Sequence, residues 1–238
     1  MQININWLTE YLPQLPLNSQ QIAHHLNLIG HESEVIDEQS IELTVSPNRG
    51  DCTSILGIAR ELSYVVNQKL KYFEKRISIG ENLNFPVNIT SNAKNEIINY
   101  QLIKIYDVDR LVTTKQLQHR LKQLGISSKH PVVDLTNVIS HELGLPLHAF
   151  DYQIIDSGIS IEKNIKPIRV TLLDGSDRLL VPGALIQNSN GRVIDLVGVM
   201  GAKNSSVTTK TKHIVLQLAT FKPSAIRFNS KVATLQTP

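Results

Sequence analysis

The stretch from His130 to Asp151, HPVVDLTNVISHELGLPLHAFD, constrains the fold more than any other part of the sequence. Its apolar residues recur at near-helical spacing, and Gly144 followed by Pro146 is a typical helix end. The pattern predicts a short helix that begins beside Thr136–Asn137 and turns back at Gly144. Such a turn can return His148 towards the beginning of the helix. The polar side chains would then form a small site against an apolar wall.

Composition narrows the class of protein. The 238 residues are 41% apolar and 19% charged, which is ordinary for a globular chain of one or two domains. The net charge is only +3, and the sequence has one short basic run, Lys69–Arg76. A dedicated nucleic-acid binder usually has a denser stripe of lysine and arginine, so these features give little support for that class. The single cysteine, Cys52, excludes an internal disulfide and a cysteine-rich zinc site. The polar start and the lack of an apolar run of membrane length predict a cytoplasmic protein without a membrane segment. No metal or cofactor is expected.

The N-terminal part is predicted to be compact and mostly helical. A helix over Asn6–Leu12 should end at Pro13, and Asn18 with Gln21 has the spacing of a capping box. Two strands should follow at Glu34–Ile36 and Ile41–Val45, and then a helix over Ser54–Asn67 capped by Asp51 or Thr53.

The turn Pro47–Asp51 between them allows two interpretations. Arg49 and Asp51 could contact phosphate or RNA, or they could fix the turn and cap the next helix. The second interpretation is favoured, because turn and cap residues of these types are common.

A polar segment around Ile79–Asn99, containing a strand at Phe85–Ile89, marks a domain boundary. A strand over Tyr100–Tyr106 follows, and Thr113 with Gln116 should cap a helix that ends at Gly125.

Beyond Asp151, short β-branched runs alternate with turn dipeptides, which is typical of a sandwich or an open barrel. The runs are Ile159–Ile161, Ile168–Leu172, Leu179–Val181, Ala184–Gln187, Val193–Val197 and Ile214–Ala219. We therefore predict an α+β fold. A small helical N-terminal module over residues 1–78 precedes a mixed α/β module over residues 79–238 with a β-sandwich-like sheet core.

Three stretches, in the same order, carry a resemblance to one family. They are VVDLTNVISHELGLPLHAFD, SPNRGDCTSILGIARELS (Ser46–Ser63) and LVGVMGAKNSSVTTKTKHIVLQLATFKPSAIR (Leu196–Arg227). Together they resemble the β subunit of bacterial phenylalanyl-tRNA synthetase, a family of protein biosynthesis. The resemblance implies an N-terminal module followed by an editing module. It also implies that this sequence lacks both the family's inserted oligonucleotide-binding barrel, between Gly30 and Ser46, and the family's C-terminal half. The chain alone should then be unable to charge a tRNA.

The resemblance also implies a site that hydrolyses mischarged Tyr-tRNA(Phe). Thr136, Asn137 and His148 would line its catalytic side, whereas Gly198 and Gly201 would bring backbone to the substrate. Gln217 stands where the family has a glutamate that binds the tyrosine hydroxyl, and Ala202 replaces a glycine. Only tyrosine can form a hydrogen bond with a polar group at that position, because phenylalanine lacks the hydroxyl. Such a site can therefore reject phenylalanine.

Three hypotheses follow for the function. The chain could be an editing module that acts on aminoacyl-tRNA. It could be a non-catalytic module that binds tyrosine, phenylalanine or aminoacyl-tRNA. It could also be a structural fragment that docks on partner subunits such as the synthetase α subunit. For His148 itself, a bond to a backbone carbonyl is as plausible as a role in orienting water.

Overall fold

A computed structural model describes residues 1–72 and 85–235 of the chain. It divides into two compact units, Met1–Gly80 with Thr113–Pro146 and Glu81–Val112 with Leu147–Pro238. Helices and sheets are both present, so the predicted α+β class is confirmed. The predicted module boundary at residues 78–79 lies outside the described residues. In the part of the chain that the structure describes, no helix is long and apolar enough to span a membrane.

The first unit combines helices with one small antiparallel sheet of strand order β1-β3-β2. Its elements are β1 (Gln2–Asn4), α1 (Ile5–Tyr11), α2 (Ser19–Leu28), β2 (Glu32–Asp37), β3 (Ser40–Thr44), α3 (Ile55–Val65), α4 (Lys115–Gln123) and α5 (Pro131–Leu143). β2 and β3 form a hairpin between Gly30 and Ser46, so no barrel is inserted there, as predicted.

Side chains near the ends of the helices in this unit cap them by hydrogen bonds to backbone N–H groups. Asn18 and Gln21 form the predicted capping box of α2, with each side chain bonded to the other residue's backbone N–H. Two predicted caps are wrong by a residue or more. Ser54 caps α3 by accepting from the Gly57 N–H, and Thr114 caps α4.

Helix α5 begins earlier than predicted. Pro131 occupies its first turn, where a missing N–H costs nothing, and the His130 side chain accepts from the Val132 N–H. Thr136 and Asn137 therefore lie in the middle of the helix and not at its beginning. The predicted end is right, because Gly144 adopts a left-handed φ of 74° at the cap.

The segment Thr113–Pro146 packs with the first unit, although the sequence division placed it in the second module. Leu117, Leu121 and Val138 share one core with residues of α1, α2 and α3, among them Trp7 and Leu62. The apolar stripe of α4 is thus core, as its spacing indicates. Sequence patterns identify such a stripe but not the partner that covers it.

The second unit is mainly β-structure. Its elements are β4 (Val87–Ile89), β5 (Ile97–Ile105), β6 (Leu147–Asp151), β7 (Ile159–Lys163), β8 (Ile168–Thr171), β9 (Asp177–Leu180), β10 (Leu185–Ser189), β11 (Arg192–Leu196), β12 (Met200–Gly201), β13 (Ile214–Phe221) and the helix α6 (Pro223–Ala233). The strands form a five-stranded sheet β12-β11-β10-β7-β4, a three-stranded sheet β5-β13-β6 and the hairpin β8-β9.

The two larger sheets of this unit share one core, which gives the predicted sandwich-like arrangement. Phe150 and Val215 come from the three-stranded sheet, whereas Ile159, Ile161 and Leu185 come from the five-stranded sheet. Because side chains alternate along a strand, the residues two positions away from these also point inward. Several of those inward positions are polar, and they form the site described next.

Candidate functional site

His148 lies on β6, directly opposite Gln217 on β13. Paired residues of antiparallel strands place their side chains on the same face, so both face inward. The His148 ring stands at 69° to the Phe150 ring, with centroids 4.4 Å apart. Strand pairing, and not the predicted returned loop, therefore positions this histidine.

Gly201 makes room for the His148 ring. A Cβ atom added at Gly201 would lie 2.3 Å from His148 Cε1 and 2.7 Å from Nε2. Real Cβ atoms do not approach other atoms so closely, so this position needs glycine. The structure thus brings together three predicted site residues: His148, Gly201 and Gln217.

The Nε2 atom of His148 is buried and has no hydrogen-bond partner among the described residues. Burial lowers the pKa of His148 to about 4, because a charged ring would lose its hydration. The imidazole is therefore neutral at pH 7. The alternative for His148 was a hydrogen bond to a backbone carbonyl. Its Nε2 atom makes no such bond to any residue that the structure describes.

Gln217 belongs to a hydrogen-bonded chain of buried and half-buried side chains. The Tyr100 hydroxyl donates to Gln187 Oε1 at 2.7 Å and lies 3.3 Å from Gln217 Oε1. Gln187 Nε2 then donates to Asp195 Oδ2 at 2.8 Å. We call His148, Gln217, Tyr100, Gln187 and Asp195 the inner polar cluster. All five residues belong to the second unit.

Two acids of the inner polar cluster are shifted towards their neutral forms. Burial raises the pKa of Asp195 to about 7, although the bond from Gln187 favours the charged form. Burial, with the nearby Asp195 adding to it, also raises the pKa of the Tyr100 phenol. The interior of this unit therefore disfavours negative charge.

Sequence reasoning missed Tyr100, Gln187 and Asp195. One signal was available, because Asp195 interrupts the apolar run Val193–Val197 at a position that alternation turns inward. A carboxyl inside such a run is unusual unless it has a partner. Its partner on another strand could not be read from the sequence.

Gly198 has a different environment from Gly201. It has a left-handed φ of 71°, and a Cβ atom there would lie 2.6 Å from Cγ1 of Ile226 on α6. Turn geometry and helix packing explain this glycine without a ligand. Its predicted contact with substrate stays a prediction.

Thr136 and Asn137 lie on α5 in the first unit. The Thr136 hydroxyl donates to the Val133 carbonyl at 2.9 Å, a bond within the helix. Both side chains are half-buried. Their predicted place in one site with His148 stays a prediction.

Asp134, the most buried polar residue of α5, has a structural environment. It accepts bonds from the Ser128 hydroxyl, the Lys129 N–H and the Thr113 hydroxyl at 2.6, 2.9 and 2.7 Å. Burial alone would raise the pKa of Asp134, but these bonds outweigh it and lower the pKa. The carboxylate thereby fixes the loop that enters α5.

The charged turn of the first unit is held by its own ion pairs. Arg49 contacts Asp51 at 3.0 Å and Glu61 at 2.7 Å, and Arg60 contacts Asp51 at 2.7 Å. These contacts favour the interpretation that the turn is structural. Burial raises the pKa of the Cys52 thiol to about 11, so this cysteine is a poor nucleophile and metal ligand.

Comparison with known proteins defines the class. The family model of the B3/4 domain matches residues 98–238, more than half of the chain. The chain therefore belongs to the B3/4 domain family.

The relatives are phenylalanine–tRNA ligase β subunits. The chain is 33% identical to that of Psychrobacter arcticus over 237 residues, which is 98% of this chain and 28% of that protein. It is 34% identical to that of Carboxydothermus hydrogenoformans over 203 residues, 85% of this chain and 25% of that one. The chain thus spans about a quarter of the length of the curated relatives it matches. An N-terminal fragment of the phenylalanyl-tRNA synthetase β subunit from Pyrococcus horikoshii is a remote structural neighbour. Its TM-score is 0.49 at 13% identity, over 98% of this chain and 72% of that one.

Proposed function

We propose that this chain is a β-subunit-like protein of phenylalanyl-tRNA synthetase whose second unit hydrolyses mischarged Tyr-tRNA(Phe). In this proposal the chain does not aminoacylate tRNA alone, and its partners are aminoacyl-tRNA and a synthetase α subunit. The similarity to phenylalanine–tRNA ligase β subunits supports the family. One observation carries the activity: a neutral, buried His148 Nε2 without a partner among the described residues lies against Gly201 and opposite Gln217.

Hydrolysis of the aminoacyl ester requires few catalytic groups. An aminoacyl ester is already activated, so the site needs to orient a water and stabilise the developing oxyanion. Water adds to the carbonyl carbon, the bond to the ribose oxygen breaks, and the proton of the water passes to that oxygen. The products are free tyrosine and uncharged tRNA. With a pKa of about 4, His148 is a weak base, so its role is to orient the water through the neutral Nε2.

The test is deacylation of Tyr-tRNA(Phe) by the purified chain. We expect hydrolysis above the uncatalysed rate, and we expect His148→Ala to reduce it. Ser206→Ala is the control variant, because the hydroxyl that it removes makes an exposed bond to the Lys203 carbonyl, and it should leave the rate unchanged. A chain that hydrolyses no faster than buffer would refute the activity.

A second function is favoured by the weak basicity of His148. Because burial lowers the pKa of His148 to about 4, the site could hold an aromatic amino acid without hydrolysing its ester. This non-catalytic module would bind tyrosine or phenylalanine in calorimetry and leave Tyr-tRNA(Phe) intact. Binding without hydrolysis would select it over the editing function.

A further inference from the structure

A cavity of about 530 Å³ in the second unit is lined by β8 on one side and by residues of the five-stranded sheet on the other. Arg169 on β8 and Arg192 on β11 both line it, although the sequence separates them by two hairpins. We call this space the arginine cavity. Its volume is within the range of cavities that hold small ligands.

The arginine cavity lies on the face of the five-stranded sheet that points away from the inner polar cluster. Glu162, which lines the cavity, pairs directly with Ile186 on β10. Paired residues share a face, and Ile186 packs with Val170 of the β8–β9 hairpin on that face. Gln187 follows Ile186 along the strand, so its side chain points to the opposite face. A ligand in the arginine cavity is therefore separated from the inner polar cluster by the sheet.

Most of the polar side chains in the cavity wall are held within the protein. Asn188 Nδ2 donates to Glu162 Oε1 at 2.5 Å, and Asn204 Nδ2 donates to a backbone carbonyl of β11 at 2.9 Å. The Thr171 hydroxyl donates to Asp177 Oδ1 at 2.6 Å. These bonds fix the wall of the cavity.

The two arginines lack such partners. Neither Arg169 nor Arg192 forms an ion pair or a side-chain hydrogen bond with any residue that the structure describes, and both are exposed. Each guanidinium group is a planar fork of N–H donors that stays charged at every pH near neutrality. Among the described residues that line the cavity, Glu162 is the single acid. The wall therefore carries a net positive charge and has free donors on two sides.

A phosphate group matches this arrangement better than a carboxylate does. A carboxylate has oxygens for one guanidinium fork, whereas a phosphate group has enough acceptor oxygens to meet two arginines. Arginine is favoured at phosphate groups because its fork forms bidentate bonds and because it is more weakly hydrated than lysine. A cationic ligand would be repelled by the same two side chains.

We propose that the arginine cavity binds a phosphate group, which Arg169 contacts from β8 and Arg192 contacts from β11. Two sources share this chemistry: a free phosphate ion, and the backbone of a polynucleotide. The inference goes beyond the proposed function, because it concerns the other face of the sheet and involves no hydrolysis.

The test measures binding to the whole chain with two probes in a buffer without phosphate. Inorganic phosphate is titrated in calorimetry, and a short single-stranded RNA without terminal phosphates is followed by fluorescence anisotropy. If inorganic phosphate binds, a free phosphate is a sufficient ligand. If only the RNA binds, the ligand is a polynucleotide backbone. If neither probe binds, the inference is refuted.

Two variants remove the arginine forks one at a time. Arg169→Gln and Arg192→Gln should each lower the affinity for the probe that binds by about tenfold, because a charge-assisted hydrogen bond is lost. Arg110→Gln is the matched control, since Arg110 is an exposed arginine beyond β5 that does not line the cavity. It removes the same charge and should change the affinity by less than about twofold.

Glu162→Gln tests the same site with the opposite sign. The glutamine keeps an oxygen that accepts from Asn188, but it removes the negative charge from the cavity wall. The affinity for the probe should rise by about threefold, because a phosphate group is no longer repelled. Damage to the fold would lower the affinity, so a rise distinguishes the two.

Two further results would overturn the inference. Equal losses for all three arginine variants would show attraction by overall charge and no defined site. An affinity that Glu162→Gln leaves unchanged or lowers would place the phosphate elsewhere. Deacylation of Tyr-tRNA(Phe) is not part of either measurement, so its presence or absence leaves this inference unaffected.

Discussion

Replacing Asp195 with asparagine should change how the stability of the protein depends on pH. The unfolded carboxyl ionises near its ordinary pKa of 3.8, whereas the folded one keeps its proton until about pH 7. Unfolding therefore releases a proton in this range, and stability falls as the pH rises. A difference of about three pKa units corresponds to about 4 kcal/mol.

The variant removes this loss and keeps an acceptor for Gln187. We expect the free energy of unfolding of Asp195→Asn to equal that of the unmodified chain near pH 4 and to exceed it by about 4 kcal/mol at pH 8. Urea denaturation between pH 4 and pH 8, compared for the two proteins at each pH, measures the difference directly.

His148 should act in the opposite direction. The pKa of His148 is about 4 in the folded state and 6.5 in the unfolded state. The free energy of unfolding should therefore fall by about 3 kcal/mol as the pH falls from 6.5 to 4, because the unfolded chain binds the proton more tightly. In the unmodified chain the two effects largely cancel between about pH 4 and pH 6.5. His148→Leu should expose the Asp195 slope alone. A stability difference for Asp195→Asn that does not change with pH would refute the buried, protonated state of this carboxyl.

Three further substitutions test the packing around these groups. Gly201→Ala should destabilise the chain by about 1–3 kcal/mol in urea denaturation, because the new Cβ meets the His148 ring, whereas Gly50→Ala, with open space around it, should not. Gln217→Glu should lower the melting temperature, since it adds a second buried carboxyl to the cluster that holds Asp195, and an unchanged melting temperature would contradict this. His31→Leu should stabilise by about 1–3 kcal/mol, because both nitrogens of this buried ring lack partners among the described residues; a loss of stability would show an unrecognised role.

Local chemistry made part of the fold predictable. The Asn18–Gln21 capping box and the left-handed Gly144 depend on residues close in sequence, and both are confirmed. Turn dipeptides were expected between the strands, and Asp174-Gly175 and Asn190-Gly191 do separate β8 from β9 and β10 from β11. The beginning of α5 differs from the prediction because Pro131, a favourable first-turn residue, starts the helix five residues before Thr136.

The candidate site was less predictable because it depends on pairing between distant strands. The register of β6 with β13 places His148 opposite Gln217. The register of β11 with β12 places Asp195 opposite Gly201. Alternation shows that a residue points inward but not which strand lies beside it.

An unpartnered buried nitrogen does not by itself define a site. His31 has two such atoms and forms no side-chain hydrogen bond with the described residues. His148 differs, because it faces Gln217 across a strand pair, and Tyr100 and Gln187 continue from there to Asp195. The unpartnered Nε2 of His148 is kept at a cost in stability that an apolar residue would avoid, as are the two nitrogens of His31. Apolar replacement of either histidine should therefore stabilise the chain, but under the proposed function only the replacement of His148 should also lower the hydrolysis of Tyr-tRNA(Phe).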